Sequence, residues 1–218
     1  MPIPVSTMED LLVNSKMAIN NAMSDEEIKT LLLEYNYDDS RYNEGLELNK
    51  KAEELYNKQK KEYSEQYKAS EELDKAYKAA KPVYQEHVDL TRLAFRHDPS
   101  QLVSLGVEGS LHRQFSAWLT QARQFYDNTI NDEKVLGKIA RYNLTKEKLE
   151  KGFQLISIVE VANNNQEKEK GEAQQFTKDR DKAMDALSDW TYELSVVAKF
   201  ALAEKPQLLE KLGIKVES

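Results

Sequence analysis

The sequence predicts an all-α fold: a tandem duplication of a helical unit of about 107 residues, forming an up-and-down helical bundle with long, partly coiled-coil helices. Three observations carry this reading. Seven glycines and five prolines in 218 residues, against 32% charged side chains, leave few turn formers for short strands and suit long solvated helices. The stretch Pro99 to Val107, PSQLVSLGV, returns as Pro206 to Ile214, PQLLEKLGI, a shift of 206 − 99 = 107 residues. Tyr42, Tyr56, Tyr63, Tyr77 and Tyr84 are spaced by multiples of seven, the period of a helical seam.

The shift aligns residues 1–107 with 108–214 without a gap. Asp25-Glu26 falls on Asp132-Glu133, Tyr35-Asn36 on Tyr142-Asn143, Gly45 on Gly152 and Asp74-Lys75-Ala76 on Asp181-Lys182-Ala183. About one position in five is identical, with the register kept throughout, as expected of one supersecondary block repeated in tandem. The expected units are therefore residues 1–107 and 108–218, standing apart or sharing one bundle.

In the first unit, Met8, Leu11, Leu12, Ser15, Ile19 and Ala22 have helical three-four spacing, with Ser6 or Thr7 as cap. The second copy reads Leu111, Phe115, Trp118, Leu119, Ala122, Tyr126 and Ile130, a helix over 109–130. Ser24-Asp25-Glu26-Glu27 and Asn131-Asp132-Glu133-Lys134 mark the next helix start, Ser24 with Glu27 fitting a capping box. Asn36 and Asn143 tolerate the left-handed conformation that ends a helix.

From Asp38 to Lys81 there is no proline and only Gly45 among glycines, so a long helix is expected there and in its copy. Pro82 is expected to break the first, and Asn163 to Asn165 or Gly171 the second, giving a third and fourth helix per unit. One unbroken helix as far as Pro99 and Pro206 is the alternative. The seam is polar around Gln59 and Gln166, where loose or exposed packing is expected. The prolines at 99 and 206, with Gly106 and Gly213, then frame a short helix whose leucines plug the bundle.

The net charge of −7 and pI near 5.2 argue against nucleic acid and anionic membranes as general partners, because phosphate surfaces repel that field. No cysteine is present, which removes disulfides and thiolate metal sites. No apolar stretch approaches about 20 residues and no signal peptide is recognisable, so the expected location is cytoplasmic, without an integral membrane segment.

Three groups of residues were candidates for function. Glutamates recur at matched positions: Glu53 and Glu160, Glu62 and Glu169, Glu65 and Glu172, Glu86 and Glu193. They lack the Glu-x-x-His pairs of a carboxylate-bridged di-metal bundle, and solvated faces or ion pairs account for them. Arg92, Arg96, His97, His112 and Arg113 form a basic junction in an acidic chain, where an anion or an acidic partner segment would be received. The five seam tyrosines, Tyr42, Tyr56, Tyr63, Tyr77 and Tyr84, would line a partner-helix groove if they lay on an open face, although packing is the commoner use of such a seam.

No phosphate loop, catalytic triad order or HExxH spacing is present, and neither cofactor nor metal is expected. The sequence thus points to a non-enzymatic protein of helical faces. Its expected partners are other proteins, a second copy of itself included. A small-ligand or metal-binding bundle and an anion site at the junction are the alternatives.

Overall fold

A computed structural model describes residues 5–214 of the chain. The order is α1 (Val5–Ser24), α2 (Glu26–Leu33), α3 (Asp39–Ala94), α4 (Pro99–Ser104), α5 (Phe115–Ile130), α6 (Glu133–Ile139), a 3-10 turn (Ala140–Tyr142), α7 (Lys146–Ala201) and α8 (Gln207–Lys211). Among the described residues there is no strand.

The borders of the two long helices follow the 107-residue offset. Both α3 and α7 are 56 residues long, and their starts, Asp39 and Lys146, and ends, Ala94 and Ala201, are matched positions. Asn36 and Asn143 both take positive φ, 66° and 57°, so the corner before each long helix is made by a left-handed asparagine. The caps of α2 and α6 match as well. Asp25 Oδ1 accepts from the Glu27 and Ile28 amides, and Asp132 Oδ1 from those of Lys134 and Val135. The cap expected at Ser24 thus falls one residue later, because Ser24 still belongs to α1 and bonds back to Asn21. The Ser6 side chain lies outside those described.

Packing divides the chain into two compact units: Met1–Ser64 with Gly171–Ser218 (unit 1), and Glu65–Lys170 (unit 2). These borders differ from 1–107 and 108–218. Each compact unit draws on both residues 1–107 and 108–218, and the unbroken helices α3 and α7 each contribute to both units.

The break expected at Pro82 does not occur, and neither does one at Asn163 to Asn165 or Gly171. Pro82 is exposed, so the Lys78 carbonyl that loses its amide partner is placed where water reaches it. A second difference concerns the start of α5, expected at 109 and found at Phe115. Gly109 has φ +74°, and the Arg92 guanidinium holds the chain there by donating to the carbonyls of Val107 (2.9 Å) and Gly109.

In unit 1, Met8, Leu12, Ile19 and Ala22 of α1 form the stripe expected from the sequence. They pack with Tyr42, Ala52 and Tyr56 of α3 and with Met184, Leu187, Trp190 and Leu194 of α7. Leu208, Leu209 and Leu212 of the α8 segment close this core, as the plug reading requires. In unit 2, Trp118, Phe125 and Tyr126 of α5 meet Tyr84 and Val88 of α3 and Leu149, Ile156 and Val159 of α7, with Leu105 and Val107 as plug. Each large apolar side chain withdrawn from water contributes about 1.5–3 kcal/mol. One glycine per unit admits an aromatic group to the helix backbone: Gly45 lies under Trp190, and Gly152 under Tyr126 and His87.

Candidate interaction surface

The seam tyrosines divide by burial. Tyr42, Tyr56 and Tyr84 are core side chains, packed in the apolar clusters of their units, and cannot line an open groove. Tyr77 is half-buried, stacked edge-on against Phe115 and Trp118, while Tyr63 is exposed. Burial pushes the Tyr42 hydroxyl up to about 12 and that of Tyr84 further still. Neither hydroxyl finds a hydrogen-bond partner, nor does Trp190 Nε1. At the polar middle of the seam, Gln59 is buried and accepts from Arg180 Nη1 at 3.1 Å, which corrects the expectation of loose packing there. Gln166 donates to Ser70 Oγ at 3.3 Å.

The basic junction lies in unit 2, and its members have different employments. Arg92 clasps the 107–109 backbone, and Arg96 Nε donates to His97 Nε2 at 3.0 Å. His112 uses its backbone amide to donate to Gln121 Oε1, leaving its imidazole on a shallow groove of about 360 Å³ beside Ser116 and Thr120. Arg113 is exposed next to the α5 N-terminus, where Gln114 supplies no side-chain cap. The third histidine, His87, is buried in the core.

Of the matched glutamates, Glu160 accepts two bonds from Arg123 (2.7 and 2.8 Å) and Glu193 one from Arg41 (2.6 Å). Glu53 faces Lys16 at 3.8 Å and Glu169 faces Lys168 at 3.4 Å. Ion pairs thus employ these four. Glu62 is buried, Glu65 and Glu172 are half-buried, and Glu86 is exposed.

A surface that no sequence motif marks appears where α3 and α7 run together in unit 2. Glu72 and Ala76 of α3, with Ser157, Ile158, Val161, Ala162 and Asn165 of α7, line a mainly apolar groove of about 500 Å³. Ile158 is 54% exposed and Val161 69%. The matched positions in unit 1 also line a groove: Lys51, Leu55, Asp179 and Ala183 stand where Ile158, Ala162, Glu72 and Ala76 stand in unit 2.

The two grooves differ in their outer residues. Unit 1 presents Lys51 and Glu54, both exposed, at the positions of Ile158 and Val161. Burial does not explain the apolar choice in unit 2, since both side chains face solvent. The signal was present in the sequence as two charged-to-aliphatic differences between the copies, but it takes meaning only once those positions are known to be outside the core.

Unit 1 has a converse feature near the end of α7. Tyr192 and Phe200 are 70% and 68% exposed, with Val196 half-buried between them at i, i+4, i+8 spacing. Unit 2 has Gln85, Asp89 and Leu93 there, the first two joined by hydrogen bonds of 3.0 Å. Among the described residues no helix is long and apolar enough to cross a membrane. No family model, no curated protein and no solved structure matches the chain.

Proposed function

We propose that this is a non-enzymatic interaction protein, and that its unit 2 groove receives an amphipathic helix of another protein. The observation that carries the reading is the pair Ile158 and Val161, aliphatic and exposed where the matched positions in unit 1 are Lys51, on its groove, and the exposed Glu54. The exposed face of α7 reads Gln154, Ile158, Val161, Asn165 at steps of four, three and four. A helix with apolar residues at that spacing fits such a face by side-chain interdigitation, with the flanking amides available for polar contacts.

A second copy suits the groove less well than a different protein. Each copy carries a net charge of −7, so two copies repel one another as they approach. The coincidence of helix borders, caps and left-handed asparagines at one offset supports descent from a duplicated block. The heptad spacing in both long helices supports coiled-coil-like packing within each unit.

A photo-crosslinking residue placed at Val161 in the native cell, with Glu54 as the matched control, tests the reading. Adducts are expected from position 161 and not from 54. They should map to a helical peptide of another protein and disappear when Ile158→Lys is added. Equal labelling from both positions, or none from position 161, overturns it. Adducts joining two copies of this chain would replace the partner with a homodimer.

The second reading is an anion site at His112 and Arg113. The uncapped start of α5 beside these side chains supports it, and the employment of Arg92 in holding the 107–109 backbone weighs against the full five-residue site.

A further inference from the structure

His87 is buried in the core of unit 2, 5% exposed, with Nδ1 3.0 Å from the Tyr126 hydroxyl. Its ring lies edge-on to the Tyr126 ring, and a Cβ at Gly152 would stand 2.9 Å from Nδ1. The α7 backbone therefore closes directly over the imidazole. A neutral ring fits this site, since imidazole and phenol can share one proton along the hydrogen bond. A protonated ring does not. Its Nδ1 must donate, and the phenol must then turn its own hydrogen toward Phe125, Phe153 and Tyr84, the rings packed around it.

Among the described residues, the groups that touch the ring are uncharged. From α5 comes the phenol of Tyr126, against which Tyr84 of α3 packs in turn, and α7 presents the backbone of Gly152. The charges that act on the ring are Lys148 of α7, which opposes protonation, and Glu86 of α3, which favours it from an exposed position. Burial is the largest influence and holds the imidazole below its ordinary value of 6.5.

Unit 1 has nothing equivalent. The residues matched to His87 and Tyr126 are Leu194 and Ile19, both buried and apolar. We infer that unit 2 is an acid-sensitive module, loosened by mild acidification when the buried imidazole of His87 must be protonated, in a chain whose unit 1 lacks the device.

The direction follows from linkage. In the unfolded segment the imidazole gains its proton near 6.5, whereas in the folded unit it does so only at lower pH. Stability is therefore complete above about 6.5 and falls as pH drops toward the folded value, by up to tenfold in unit 2's folding constant per pH unit. Because Ile158 and Val161 belong to unit 2, a helix bound there would be released in acid. That consequence rests on the groove reading, whereas the loosening does not.

Hydrogen exchange of the full chain at pH 7.5 and 5.5, corrected for intrinsic rates, tests the inference without a partner. Protection in α5 and in residues 146–160 should fall by several-fold to tenfold in acid, while α1 and residues 185–201 hold theirs. The double variant His87→Leu with Tyr126→Ile, which recreates the unit 1 pair, should remove the difference. Should that variant fold poorly, ring NMR titration of the wild-type protein gives the same decision, with His87 expected to titrate below 6.5. Equal acid response in both units, a retained response in a folded double variant, or His87 titrating at or above 6.5 would each overturn the inference.

Discussion

Substituting Gly45 by alanine places a methyl group where the Trp190 ring already stands. The new carbon would lie 2.6 Å from Cη2 and Cζ2 and 2.8 Å from Cζ3, whereas carbon atoms rest at about 3.5–4.0 Å. The ring must retreat by about 1 Å, yet Trp190 is buried, stacked edge-on against Tyr37 and roofed by the Arg41 guanidinium. Overpacking of this kind costs about 1–3 kcal/mol, and the gain from replacing glycine inside a helix offsets about 1 kcal/mol. The expected net effect is a destabilisation of about 0–2 kcal/mol.

Gly171→Ala is the internal control. It lies in the same unit, exposed inside α7, with no heavy atom within 4 Å of the new carbon, so only the helix gain of about 1 kcal/mol applies. The two variants should differ by about 1–3 kcal/mol, roughly 2–12 °C in Tm for a chain of this size. The chain has two tryptophans, one in each core, so a Trp118→Phe background leaves Trp190 as the reporter of unit 1. Urea unfolding followed by that fluorescence is the assay. Equal stabilisation by both substitutions would refute the contact between Gly45 and Trp190.

Further outcomes follow from buried polar groups. Tyr42→Phe and Tyr84→Phe each remove a buried hydroxyl without a partner and should stabilise by up to about 1 kcal/mol, while Tyr126→Phe, which orphans His87 Nδ1, should destabilise; denaturant midpoints decide. The Tyr42 hydroxyl is raised to about 12, so its linked stability is present below pH 10 and is lost as pH rises from 10 toward 12; Tyr42→Phe should lose less stability than the wild type over that range, by denaturant midpoints at each pH. Asn49 donates to the Leu12 carbonyl (2.8 Å) and Ser15 Oγ (2.9 Å) in unit 1, where unit 2 has Ile156 and Ala122. Asn49→Ala should therefore cost about 1–3 kcal/mol by calorimetry, with the double change Asn49→Ile and Ser15→Ala costing less than the single one.

Much of the helical frame could be read from residues alone. Apolar spacing located α1, and the asparagines at 36 and 143 marked the corners before the long helices. Proline and glycine at matched positions framed α4 and the last short helix. These are local signals, fixed by backbone conformation and by which side of a helix a side chain takes. The candidate surface was less legible. The seam tyrosines carried the period of a groove but three of them fill cores, and the five basic residues between positions 92 and 113 have separate employments.

The sequence by itself determined the all-helical class, the 107-residue offset and the acidic character of the chain. Tertiary structure alone decided that α3 runs on through Pro82, and that each compact unit draws on both residues 1–107 and 108–218. It also decided which of two matched positions becomes an exposed aliphatic wall and which a buried imidazole. The physical reason is that helix propensity and capping act within a few residues. Burial depends on what a distant part of the chain brings alongside, and a 56-residue helix delivers its two ends to different neighbours.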